Sequence, residues 1–111
     1  MDKNKLYYLA HPFTTYGNET RNLISSRLIA RWIRLRYGIS VLNPLVTVPQ
    51  SLTWDDAMYK CGLLLDACDA IIMSGQWQKS KGCIDEYEAS KFESREVLFY
   101  QRGCVSFESY E

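Results

Sequence analysis

The sequence predicts an α/β fold, Rossmann-like and flavodoxin-like: a three-layer sandwich around a parallel sheet of four strands in the order 2-1-3-4, with a short fifth strand as an option at one edge. Three observations predict it. Four short apolar runs, Leu6–Ala10, Ile39–Leu42, Ala70–Met73 and Val97–Tyr100, have the length and the aromatic or β-branched content of buried strands. The segments between them repeat apolar residues at intervals of three and four, the period of a helix. The connections are short, so strand alternates with helix and the strands run parallel.

A chain of 111 residues supports one hydrophobic core and is read as a single domain, 1–111. Its 13 basic and 13 acidic residues cancel, so nothing marks a nucleic acid polymer as a partner. The polar start Met1–Lys5 leads into an apolar run too short for a signal sequence or a membrane span, so no membrane partner is expected and the cytoplasm is the expected location. Cys61, Cys68, Cys83 and Cys104 form no C-x-x-C pair and His11 is the sole histidine, so neither a metal nor another cofactor is expected. Cys61 and Cys68 lie on one helix about 10 Å apart, beyond disulfide reach, and the thiols read as small apolar residues.

The first strand, Leu6–Ala10, exits into His11-Pro12-Phe13-Thr14-Thr15-Tyr16-Gly17-Asn18. This loop mixes turn residues, hydroxyls and aromatics, as suits a wall around a small ligand. With Gly17 alone it is neither a dinucleotide fingerprint nor a Walker A loop. His11 reads as an acid or base, or as a hydrogen-bonded residue at a strand end. Asn18 is a good N-cap, and Ile24, Leu28, Ile29, Trp32, Ile33 and Leu35 describe an amphipathic helix that Gly38 closes. Arg21 opposes the dipole in the first turn of that helix, a conflict that a bound phosphate or carboxylate would resolve. Arg27, Arg31, Arg34 and Arg36 read as its solvated face.

After the second strand, Ile39–Leu42, comes the turn pair Asn43-Pro44 and a loop to Ser51. Thr53 followed by Asp56 has capping-box spacing, and Trp54, Ala57, Met58, Cys61, Leu64, Leu65 and Cys68 form one inward stripe on the helix that follows. Asp69 opens the third strand at the far edge of the sheet, as a turn or cap residue. A helix from Gly82 to Phe92, with Tyr87 and Phe92 inward, leads to the fourth strand. In the tail, Gly103 to Glu111, alternation at Val105 and Phe107 fits an edge strand or an arm to a neighbouring subunit.

Ligands of such sheets bind beyond the carboxyl ends of the strands where strand order reverses, here between strands one and three. The segments His11–Asn18 and Trp77–Glu86 then line one crevice, with Asn43 close by. In the second segment Ser80 and Gly82 stand where backbone N–H groups at a helix start can hold an anion. Glu86 lies one turn further in, on the face of Gly82 and Cys83, where the dipole is expected to favour its ionised form.

Tyr8-Leu9-Ala10-His11-Pro12-Phe13, together with Asp69-Ala70-Ile71-Ile72 and Trp77-x-x-Ser80-x-Gly82-Cys83-x-x-Glu86, resembles the nucleoside 2-deoxyribosyltransferase-like superfamily over nearly the whole chain. The resemblance implies an N-glycosidase or deoxyribosyltransferase acting on a nucleoside or nucleoside 5'-monophosphate, with Glu86 as the nucleophile at C1' and Tyr8 beside it. It implies Ser80 and Gly82 at the 5'-phosphate, and a homodimer or higher homo-oligomer whose neighbour completes the pocket with its C-terminal residues. Trp77 or Trp54 stands to stack on the base, and His11, Pro12, Asn18, Arg21 and Asn43 to bind substrate. Where active relatives carry an aspartate on the second helix, this chain has Cys61; Asp56 or Asp55 stands to replace it. Without such a group the alternative is a nucleotide-binding or sensing module.

Overall fold

The computed structural model describes residues 1–13, 19–49 and 51–107. In chain order its elements are β1 Leu6–Ala10, α1 Glu19–Tyr37, β2 Ser40–Leu42, α2 Pro44–Thr47, α3 Trp54–Asp66, β3 Ala70–Met73, α4 Lys81–Phe92, β4 Glu96–Gln101 and β5 Cys104–Ser106, with a 3-10 turn at Trp77–Lys79 before α4. The five-stranded sheet has the order β2-β1-β3-β4-β5. The first four strands are parallel, with Tyr8 beside Leu42 on one side and Ile71 on the other. The expected α/β class and the order 2-1-3-4 are both found.

The option left open for the tail resolves over Cys104–Ser106, which pairs antiparallel with β4. Arg102 and Gly103, both with positive φ, make the two-residue turn, a conformation that glycine adopts at no steric cost. The hairpin is pinned to α1 by Trp32 Nε1 donating to the Gly103 carbonyl and by the Val105 N–H donating to the Tyr37 hydroxyl.

The strand period of two divides the core. Tyr7, Leu9, Ala70, Ile72 and Leu98 face α1 and meet Ala30 and Ile33. Tyr8, Ala10, Ile71, Met73 and Phe99 face the other layer, where Leu65 of α3 and Cys83 of α4 cover them. Each large apolar side chain sealed in this way contributes about 1.5–3 kcal/mol.

Two expectations about facing are corrected. On α1 the buried residues are Ser26, Ala30 and Ile33, while Ile24, Leu28 and Leu35 point outward and Trp32 is half exposed. The helix rests on its small side chains, which let it approach the sheet closely. The buried Ser26 hydroxyl is satisfied by donating to the Leu23 carbonyl and accepting from Asn43 Nδ2. Phe92, expected inward, is 91% exposed at the end of α4, whereas Tyr87 packs against Trp77 and Phe99. The loop after β2 contains the short α2, started by Asn43 and Pro44.

Asp69 does what its place at the bottom edge of the sheet predicts. It ties β3 to β1 by exchanging backbone and side-chain hydrogen bonds with Leu6.

Candidate active site

At the carboxyl ends of the strands the exits of β1 and β3 meet. The Ser74 N–H and hydroxyl both donate to the Ala10 carbonyl, each at 2.9 Å. Gly75 then turns with φ +63°, and a side chain there would stand 3.1 Å from His11 Nε2 and 3.3 Å from Pro12 Cδ. The two loops therefore lie in contact, as the strand order requires.

Beside them opens a cavity of about 680 Å³, the size of a small-molecule site. Its floor and walls include Tyr8, His11, Cys61, Cys83 and Glu86. Ser80, Lys81 and Gly82 at the start of α4 line another side, and Leu45, Val48, Pro49 and Leu52 close over it from the segment after β2. Trp54 and Met58 enter from α3, Phe13 and Glu19 from either side of the loop after β1.

Glu86 is the chemically unusual group. Only 9% of it is exposed, and the Tyr8 hydroxyl donates to its Oε2. Burial raises its pKa to about 7; the Tyr8 hydrogen bond pulls it back down and nearby Asp85 adds a small upward push. The expected help from the helix dipole is overruled: Glu86 lies past the first turn of α4, where that field has decayed, and desolvation dominates. Tyr8, buried and facing the same carboxylate, is raised well above the usual phenol range, first by burial and then by Glu86.

Cys61 belongs to the same group. It lies beside Tyr8, and burial pushes its thiol up. The neighbouring Cys83 is pushed up to about 12, by burial first and then by Glu86. Both are therefore neutral thiols at physiological pH.

Ser80 caps α4, its hydroxyl accepting from the Cys83 N–H at 3.3 Å while its carbonyl accepts from Ile84. Gly82 leaves room for Met58: a Cβ there would meet Sδ at 3.1 Å. Lys81 lies with its ammonium 4.9 Å from the centre of the Trp54 ring, a cation–π pair at the cavity wall.

The structure thus gathers Tyr8, His11, Ser80, Gly82 and Glu86, of the residues singled out from sequence, around one cavity. Others fall elsewhere. Asp56 is exposed near the start of α3 and does not line the cavity; its N–H donates to the Thr53 cap while its carboxylate faces solvent. Arg21 is exposed on α1, also away from the lining. Asn43 is buried but fully used, its Oδ1 accepting from Leu45 and its Nδ2 donating to Ser26. Pro12 is buried behind His11, whose Nδ1–H it accepts through its carbonyl. Trp77 is a core residue, 5.0 Å from the Tyr87 ring and 5.9 Å from the Phe99 ring; of the two tryptophans, it is Trp54 that reaches the cavity. Asn18 lies outside the described residues.

The sequence reading missed Glu19, Lys81, Met58, and Leu45, Val48, Pro49 and Leu52. Lys81 had a signal, its position inside the Ser80-x-Gly82 turn. The others depend on how distant segments fold over the sheet.

No helix among the described residues is long and apolar enough to cross a membrane, and among them no cluster of histidine, cysteine and acidic residues suits a metal ion.

This sheet order, with helices on both faces, defines a protein of Rossmann-like α/β fold, and the fold is shared with a deoxyribosyltransferase of known structure. A solved structure, the 2-desoxiribosyltransferase from Leishmania mexicana, superposes with a TM-score of 0.62 at 17% identity, covering 86% of this chain. The chain spans 63% of the length of that relative. Residues 5–99 match DUF4406, a domain family of unknown function, and the chain belongs to that family. No curated protein matches it.

Proposed function

We propose that the cavity binds a nucleoside or nucleoside 5'-monophosphate and that Glu86 cleaves its N-glycosidic bond. The observation that carries this reading is the Tyr8–Glu86 pair, buried at the cavity wall close to the start of α4. A carboxyl with its pKa near 7 is ionised in a useful fraction at neutral pH yet poorly solvated, which favours attack on a cationic centre.

In the proposed reaction a Glu86 oxygen forms an ester bond to C1' as the C1'–N bond breaks. The bonding pair leaves with the base, which takes up a proton from water. Water then attacks C1', releasing the sugar and the carboxylate; a second base in place of water gives transfer. Tyr8 holds the carboxylate in position. The wall of Ser80, Lys81 and Gly82 carries the free N–H groups of a helix start and a cation, a suitable seat for a phosphate. Trp54 offers an aromatic face for the base. A partner subunit completing the open side through its C-terminal tail belongs to the same reading.

The test is release of free base from a panel of nucleosides and 5'-monophosphates, followed by chromatography. Activity must vanish in Glu86→Ala; turnover that survives this change refutes the mechanism.

One observation favours a second reading. Cys61 is a neutral thiol where active relatives are expected to carry an aspartate, and Asp56 does not reach the cavity. A nucleotide-binding module that keeps the seat and lacks the leaving-group acid would show ligand-dependent thermal stabilisation with no base release.

A further inference from the structure

α1 and α3 cover opposite faces of the sheet, α1 through Ala30 and Ile33 and α3 through Leu65. Their outer sides carry one pattern in opposite charge. On α1, Arg21, Ile24, Leu28 and Arg31 follow one another at intervals of three, four and three; on α3, Asp56, Tyr59, Leu63 and Asp66 do the same. This spacing keeps each set on a single stripe about 15 Å long, the kind of seam along which two helices pack.

Neither stripe is covered within the chain. All of these residues are exposed, and the apolar ones, Ile24, Leu28, Tyr59 and Leu63, are 54–69% exposed. The ion pairs among the described residues belong to Arg95, with Glu93 at 2.8 Å and with Asp66 at 3.7 Å, and the second leaves the Asp66 side chain 66% exposed. Arg21 and Arg31 have no acidic partner among the described residues, and Asp56 has no basic one.

We propose that the two stripes are the halves of an interface between copies of this chain, α1 of one copy seated on α3 of the next. Arginine then meets aspartate at each end and apolar meets apolar between them. The interval pattern reads the same in both directions, so the ends match whether the helices run parallel or antiparallel. Pairing like with like is opposed, since α1 on α1 sets arginine against arginine and α3 on α3 sets aspartate against aspartate. Because the stripes lie on opposite faces, a copy cannot close both contacts with one partner. The contact is head-to-tail and builds a ring or an open chain. One helix pair buries little area, so the association is weak and concentration-dependent.

Sedimentation of the full chain over a roughly hundredfold range of concentration should show the average mass rising past the dimer at low salt, and falling toward the monomer as salt screens the exposed charges. Leu28→Gln spoils the α1 stripe and Leu63→Gln the α3 stripe. Both are exposed helix positions and glutamine is a good helix former, so the fold should be kept, which circular dichroism checks. Each variant alone should self-associate about 10-fold or more weakly than the native chain. An equimolar mixture should give one-to-one pairs and nothing larger, because α1 of the Leu63→Gln chain still seats on α3 of the Leu28→Gln chain while the two faces left over are both spoiled. A native chain that stays monomeric or stops at a dimer overturns the inference. So does assembly that survives either substitution or ignores salt, or a mixture that fails to pair.

Discussion

Tyr8 and Glu86 are 78 residues apart in sequence and share one buried hydrogen bond, phenol to carboxylate, at the wall of the cavity. The bond joins β1 to α4 across the mixed layer of α3 and α4. Its energetic meaning lies in the competition it sets up. Burial raises the Glu86 carboxyl to about 7, and the Tyr8 hydroxyl, by donating to the ionised form, keeps it from rising further.

Activity should follow the ionised carboxylate. The kcat/KM for base release is expected to rise with pH through about 7 and then level, since only the deprotonated Glu86 attacks C1'. In Tyr8→Phe the donor is gone and the rising limb should move to higher pH. A pH–rate profile checks both; a limb that stays put in Tyr8→Phe removes Tyr8 from the role assigned to it.

Stability should carry the opposite signature. Glu86 holds its proton up to about 7 in the folded chain and to about 4.5 when solvated, so between these values the folded state binds the extra proton. Its contribution is complete below pH 4.5 and is lost as pH rises through 7. Glu86→Gln, neutral at every pH, avoids that loss. The variant should match the native protein near pH 5 and be more stable by roughly 2–3 kcal/mol at pH 8.5, as read from urea unfolding. Equal stabilities at both pH values would mean that the carboxylate is better solvated than its surroundings indicate.

Cys61→Asp places a second carboxylate beside Tyr8 and Glu86. Like charges at this spacing hold one proton between them, so the new pair should supply an acid to the leaving base. Base release in single turnover is expected to increase roughly 10-fold or more over the native chain at pH 7. A drop in rate, with ligand affinity kept, would show that the thiol itself is needed.

Lys81→Ala removes the ammonium from the Trp54 ring and from the mouth of the cavity. Binding of a nucleoside 5'-monophosphate should weaken by roughly 10-fold while the matching nucleoside changes by less than about threefold. Calorimetric titration of both ligands gives the ratio, and an equal loss for the two would place Lys81 at the base instead of the phosphate.

Much of this architecture is legible in local pattern. Strands at Leu6–Ala10 and Ala70–Met73, a helix after Ser80, the position of the crevice and the bottom-edge role of Asp69 all follow from periodicities of two and three-and-a-half and from the rule for parallel sheets. The facing of α1 does not. Ile24, Leu28 and Leu35 are more apolar than Ser26 and Ala30, yet the smaller residues go inward. Hydropathy does not register how closely a helix must approach its sheet.

The site divides in the same way. Short motifs around Tyr8 and Ser80 to Glu86 sufficed to bring these residues to one place, because each lies at a strand end or a helix start. Asn43, Trp77 and Asp56 look equally chemical in sequence. Asn43 is consumed in holding α2 to α1, Trp77 in an aromatic cluster, and Asp56 points to solvent.

By itself, then, the amino-acid order determined the alternation of elements, their order in the sheet and the edge where the cavity opens. These depend on the chemistry of neighbours within a few residues. Only the tertiary structure decided that Glu86 is desolvated, that Cys61 lies beside Tyr8, and that Trp54 and not Trp77 reaches the cavity. Burial and hydrogen-bond partners are properties of residues far apart in the chain, and they set the charge state on which the chemistry depends.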